Sequence, residues 1–214
     1  MYQEGQEVPK DYAQSARWYR KAAEQGLATA QLSLGVMYGK AQGVAQDYAE
    51  EASWYRKAAE QGDTLAQFLL GTRYEKGQGV AEVYVEAVGW YRKSAERGQA
   101  LAQGSLGIMY EKGQGVARDN AEAARWYRRA AGQGDTLSQF LLGTMYSLGE
   151  GVPQDYVQAH MWLNLAASAS NGDDQRKYAR LRDALADMMA PEQIAEAQRL
   201  ARNWRPKVEG VQPK

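Results

Sequence analysis

Residues 26–61 read GLATAQLSLGVMYGKAQGVAQDYAEEASWYRKAAEQ, and the same pattern returns every 36 residues along a chain of 214. Trp18, Trp54, Trp90, Trp126 and Trp162 keep that interval without a slip. So do Gly35, Gly71, Gly107 and Gly143, and likewise Tyr38, Tyr74, Tyr110 and Tyr146. A period of this length means that each unit buries its apolar face only against its neighbours, so the core grows along an axis and length does not count domains.

Within the unit, Ala30, Leu34, Met37 and Tyr38 fall at i, i+4, i+7 and i+8, one face of a helix, here helix A. Tyr48, Ala52, Tyr55, Ala58 and Ala59 mark one face of a second, helix B, with Trp54 at its border. Lys40-Ala41-Gln42-Gly43 reads as the turn between them, and Gly26 and Gly62 suit the left-handed end of helix B. Asp47 with Glu50, Asp119 with Glu122, Asp11 with Gln14 and Asp155 with Gln158 read as N-caps with a reciprocating side chain three positions on. Val83 breaks that rule, and Gly89 and Gly104 interrupt helices, so residues 83–104 are expected to be the softest interior stretch. A glycine at the same mid-helix place in four units (35, 71, 107, 143) implies that something large packs there.

Twenty-six Lys plus Arg balance twenty-six Asp plus Glu, so net charge favours neither a polyanion nor an acidic membrane. There is no cysteine, which removes disulfides, thiol catalysis and thiolate metal sites but fits either redox compartment. No apolar run approaches the roughly 20 residues of a membrane span. The expectation is a soluble chain, cytoplasmic, or periplasmic or secreted if a leader has been removed. Met1-Tyr2 aligns with Met37-Tyr38, so the chain is expected to start inside a repeat.

Ala-x-x-x-Leu-Gly-x-x-Tyr, then Gly-x-Gly-Val, Asp-Tyr, Trp-Tyr-Arg-Lys-Ala-Ala and Gly, resembles the Sel-one-like repeat, a relative of the tetratricopeptide repeat. Ala30, Leu34, Gly35, Tyr38, Gly43, Val44, Asp47, Trp54, Tyr55, Lys57, Ala58, Ala59 and Gly62 carry the resemblance, and Asn120, Val83 and Met161-Trp162-Leu163 depart from it. It implies an all-α fold, a right-handed α/α superhelix of antiparallel helix pairs, and a non-catalytic scaffold or adaptor for proteins. The division expected is a solenoid over 1–170, about five units with the first truncated, then capping helices over 171–204 and a disordered tail over 205–214. Pro191 and Glu192 mark the start of the second capping helix.

By the same resemblance helix A lines the concave face. The partner-binding groove then carries Thr29, Leu32, Val36 and Lys40; Leu65, Phe68, Thr72, Glu75 and Lys76; Leu101, Gly104, Ile108, Glu111 and Lys112; and Leu137, Phe140, Thr144 and Leu148. Phe68 and Phe140, the chain's two phenylalanines, lie in near-identical stretches, GDTLAQFLLG and GDTLSQFLLG, 72 residues apart. They are expected to anchor a protein or peptide long enough to engage both.

Catalytic, cofactor and metal sites are not expected. His160 is the single histidine and stands where other units have Ala16, Ala52, Val88 and Ala124, so it reads as a packing residue with no second ligand or nucleophile to join it. Gly77-Gln78-Gly79 and Gly113-Gln114-Gly115 lack the Lys-Ser/Thr of a phosphate loop and read as turns. Lys and Arg interleave with aromatics on helix B, a pattern that could serve RNA, yet each Lys-Ala-Ala-Glu supplies a compensating acid. Nucleic acid and membrane are not expected as partners, and a monomer is favoured although the sequence does not fix the oligomeric state. The rival reading is an enzyme, because some cysteine-rich members of the resembled family bind or hydrolyse penicillin; this chain has none of their cysteines.

Overall fold

A computed structural model describes residues 11–207, in which the chain forms eleven α-helices and no strand. Helices of type B are α1 (Tyr12–Glu24), α3 (Tyr48–Glu60), α5 (Tyr84–Glu96), α7 (Asn120–Gly132) and α9 (Tyr156–Ala169). Between them run the A helices α2 (Ala28–Gly39), α4 (Thr64–Lys76), α6 (Ala100–Lys112) and α8 (Thr136–Leu148), and the chain ends with α10 (Gly172–Ala186) and α11 (Pro191–Asn203). Two compact units divide it, one ending at Ser94 and the other beginning at Ala95. Met1-Tyr2 and the tail beyond residue 207 lie outside the described residues.

The boundaries follow from the caps. The Asp47 carboxylate accepts from the Ala49 and Glu50 N–H groups at 2.9 and 3.0 Å, and Asp119 does the same for Ala121 and Glu122. Each such cap contributes about 1 kcal/mol. Asp63 and Asp135 cap helices α4 and α8 as well, a signal the B-helix reading had not used. At Val83 the backbone path is preserved, for its N–H donates to Tyr74 O at 3.1 Å as Asp47 N–H donates to Tyr38 O at 3.2 Å. Only the side-chain acceptor is missing.

In the first unit, α3 packs on α2 and α4, and α5 returns onto α4. A methyl group placed on Gly35 would lie 2.7 Å from Tyr55 Cδ1, and one on Gly71 the same distance from Tyr91 Cδ1. The expected bulky neighbour is therefore the helix-B tyrosine, whose Cδ1–Cε1 edge comes against the glycine and which is buried there. The turn after helix A is just as close: a Cβ on Gly79 would sit 1.9 Å from Tyr48 O, and the residue's φ of +73° is left-handed. Tyr48 itself is more exposed than its helical face implied, with the Arg73 guanidinium 5.5 Å from its ring centroid.

The second unit repeats the plan, with Tyr127 over Gly107 and Leu163 over Gly143. Buried glutamines add a link absent from the sequence reading. Gln103 and Gln139 donate to Ala95 O and Ala131 O at 3.1 and 3.3 Å, and in the first unit Gln31 and Gln67 donate to Ala23 O and Ala59 O. Each gives a second donor to a helix-B carbonyl that already accepts the Gly26, Gly62, Gly98 or Gly134 N–H, and so ties the end of helix B to the following helix A. The helices α10 and α11 pack on α9 and bury Tyr178, Leu185, Ala197 and Ala201, whereas Met188 points outward. At the start of the stretch expected as a tail, the Lys207 N–H donates to Gly132 O at 2.8 Å.

Candidate protein-binding face

The A helices present their N-terminal leucines to solvent: Leu65, Leu101 and Leu137 are 43%, 50% and 47% exposed. Below them Thr72, Ile108 and Thr144 are half-buried, and Lys76, Lys112 and Leu148 are exposed at the C-terminal ends. In the first unit's opening A helix, Thr29 and Lys40 are exposed and Leu32 and Val36 half-buried. Thr72 and Thr144 turn their hydroxyls back to the Phe68 and Phe140 carbonyls.

Glu75 and Glu111 differ from a free charged rim. Each carboxylate accepts from a helix-B tyrosine, Tyr91 for Glu75 and Tyr127 for Glu111. Burial first, and then the Glu111 hydrogen bond, push the Tyr127 hydroxyl well above its ordinary pKa, so it stays a donor. The first full repeat achieves the same with its parts moved. Gly39 occupies the place of Glu75 and Glu111, and Glu51 reaches in from helix B with Oε1 2.3 Å from where a Gly39 Cβ would be. Glu51 is buried and pairs with Arg73 of α4 at 2.9 Å. Arg73 stands where Met37, Met109 and Met145 fill the core in other units.

The phenylalanines are not open anchors. Phe140 is stacked on Tyr178 of α10, with centroids 4.4 Å apart, and Lys177 Nζ lies 4.7 Å from its ring. Phe68 is half-buried and tilts against Tyr91 at 5.8 Å. Gly104 explains why: a Cβ there would lie 2.8 Å from Ser138 Oγ, so this position faces the neighbouring A helix rather than solvent. Leu65 is exposed in the first unit and Leu101, Leu137 and Leu148 in the second, whereas Phe140 is covered by Tyr178.

The aromatic and basic interleaving on helix B serves the fold. Lys57 and Lys93 lie 3.7 and 3.9 Å from the centroids of Trp54 and Trp90, three residues back. Arg20 donates to Tyr38 Oη at 2.6 Å and Arg128 to Tyr146 Oη at 2.8 Å, each clamping the next A helix. Such contacts contribute about 0.5–1 kcal/mol apiece. His160 is buried in α9 with Nδ1 unpaired, its pKa held below the ordinary histidine value by burial first and then by Arg182. Among the described residues no three His, Asp or Glu side chains gather as metal ligands, and no helix is long and apolar enough to cross a membrane.

A family model described as the Sel1 repeat matches residues 1–27, 28–63, 64–99, 100–135 and 136–171. Among solved structures, the chain is 42% identical to c5321, a protective antigen of uropathogenic Escherichia coli displaying an SLR fold, with a TM-score of 0.81 over 94% of this chain. It spans 43% of that protein's length. It is 33% identical to a Sel1 repeat protein from Oxalobacter formigenes, with a TM-score of 0.81, covering 95% of this chain and 84% of that one. A search of curated proteins gave no match. The all-α helical-repeat fold read from the 36-residue period is the fold these structures share.

Proposed function

The chain belongs to the Sel1 repeat family, and from that premise we propose that it is a non-catalytic scaffold binding a protein or peptide along the outward faces of its A helices. Repeats of this family generally mediate protein–protein interaction. The observation that carries the reading to this chain is the leucine at the first turn of α4, α6 and α8. Leu65, Leu101 and Leu137 recur in register yet are about half exposed, and folding does not need an apolar side chain there. In the second unit Gly104 of α6 approaches Ser138 at the first turn of α8, and Leu101 and Leu137 are exposed on these helices, with Ile108 and Thr144 half-buried and Lys112 exposed. Aliphatic anchors beside a polar rim supply the desolvated centre that binding energy requires.

Peptide-display selection against the intact chain tests this. Peptides that bind the wild type are expected to lose at least tenfold in affinity to Leu101→Asp/Leu137→Asp while circular dichroism stays unchanged. Selected peptides that bind both equally would place the interaction elsewhere. The enzymatic rival is checked by nitrocefin hydrolysis, for which the scaffold reading expects no turnover.

A further inference from the structure

A second surface differs in chemistry from the leucine row. In the second unit, α7, α9 and the segment after α11 enclose a cleft of about 850 Å³ lined by Arg125, Arg128, Arg129, Arg205, Lys207 and the Trp162–Trp204 pair. Five cations line it, of which Arg125 pairs with Glu122 on its own helix, and no acid is among the lining residues, in a chain whose formal net charge is zero.

The concentration has an identifiable origin. In α1, α3 and α5 the last residue of helix B is Glu24, Glu60 or Glu96, close to the Arg-Lys pair that precedes it. In α7 that residue is Gly132. Its carbonyl accepts the Lys207 N–H, which holds the terminal segment alongside and brings Arg205 and Lys207 to the place the acid would neutralise. The substitution that removes a negative charge is thus also the docking point of two positive ones.

We infer that this cleft binds an acidic segment of a partner protein, several carboxylates flanking one apolar side chain that rests on Trp162 and Trp204. Guanidinium forks match carboxylates two donors at a time, and an arginine cluster is the usual reader of acidic motifs. The volume falls within the range of ligand sites, roughly 300–1,000 Å³. Arg129 lies over Trp126 at 4.8 Å and Arg128 over Tyr146 at 5.8 Å, whereas Trp162 and Trp204 meet edge to face at 6.4 Å and supply the apolar floor of the cleft. A nucleic acid is the competing anionic occupant, which would stack bases on the same pair, and the test separates the two.

Gly132→Glu restores the acid of the other repeats, and a Cβ at Gly132 meets no atom within 4 Å, so the fold tolerates it. The probe is a fluorescein-labelled EEDLEDEE peptide followed by polarisation, with KKRLKRKK and a single-stranded oligonucleotide as comparisons. The acidic peptide binds the wild type, weakens at least tenfold on Gly132→Glu and on Arg205→Gln/Lys207→Gln, and weakens as salt is raised from about 0.05 to 0.3 M. Leu101→Asp/Leu137→Asp leaves it unchanged, which separates this site from the leucine face. Equal affinity for the basic peptide, tighter binding of the oligonucleotide, or indifference to Gly132→Glu overturns the inference.

Discussion

Tyr91 lies across Gly71 so closely that a single added methyl group would stand 2.7 Å from its Cδ1 atom. The helix-A glycine is therefore one half of a contact, and its cost in helix propensity, about 1 kcal/mol, is offset by the dispersion gained under the ring. Gly71→Ala is expected to destabilise by about 1–3 kcal/mol, because Tyr91 is buried and cannot move away. Gly89 sits in α5 with open space around it, so Gly89→Ala is expected to stabilise by about 0.5–1 kcal/mol. Urea unfolding of the two variants should give midpoints on opposite sides of wild type; midpoints shifted the same way would remove the close-packing account.

The Glu51–Arg73 pair replaces an alanine and a methionine at one repeat junction, and Tyr55 beside it is held protonated by burial first and then by Glu51. Arg73→Met alone is expected to cost about 3–5 kcal/mol, since it leaves a buried carboxylate unpaired. Glu51→Ala/Arg73→Met should recover most of that loss, and a double-mutant cycle measures the coupling. Additive losses would show that the two residues act independently.

Ala41 has φ of +55°, at the place where Gly77, Gly113 and Gly149 make the same left-handed turn. Ala41→Gly is expected to stabilise by roughly 1 kcal/mol by removing Cβ strain. Val83→Asp should add about 0.5–2 kcal/mol by supplying the absent cap to α5. Thermal unfolding checks both, and a lowered midpoint in either variant contradicts its premise.

His160 gives a pH dependence of definite sign. Its folded pKa lies below the unfolded value of about 6.5, by burial and then by Arg182 of α10, with Asp183 opposing. The unfolded chain consequently binds more protons as pH falls from about 7, and stability drops until the folded group also titrates. His160→Ala is expected to flatten that part of the profile between about pH 7 and 5. A variant whose urea midpoint falls with acid as steeply as wild type would assign the effect to other groups.

Much of this was legible because the 36-residue period repeats each signal. Asp47 and Asp119 announce their helices, as Asp11 and Asp155 do but Val83 does not, and Gly35, Gly71 and Gly107 announce a bulky neighbour. The Glu51–Arg73 pair escaped because it appears once and joins residues on different helices, so no spacing reveals it. Gln31, Gln67, Gln103 and Gln139 were in register throughout, yet a polar residue on a helix reads as surface until its partner carbonyl is seen. The groove register of Phe68 and Phe140 was carried over from a related repeat, and no spacing reveals that Phe140 stacks on Tyr178 or that Phe68 meets Tyr91. The basic cleft needed the chain end to fold back onto Gly132, a contact no local pattern encodes.

The most direct test of the binding account is hydrogen exchange of the intact chain with and without a display-selected peptide. The account predicts added protection in α6 and α8, around Leu101 and Leu137, with α7 and α9 unchanged. Protection confined to α7, α9 or the terminal segment, with α6 and α8 exchanging as in the free protein, would contradict it.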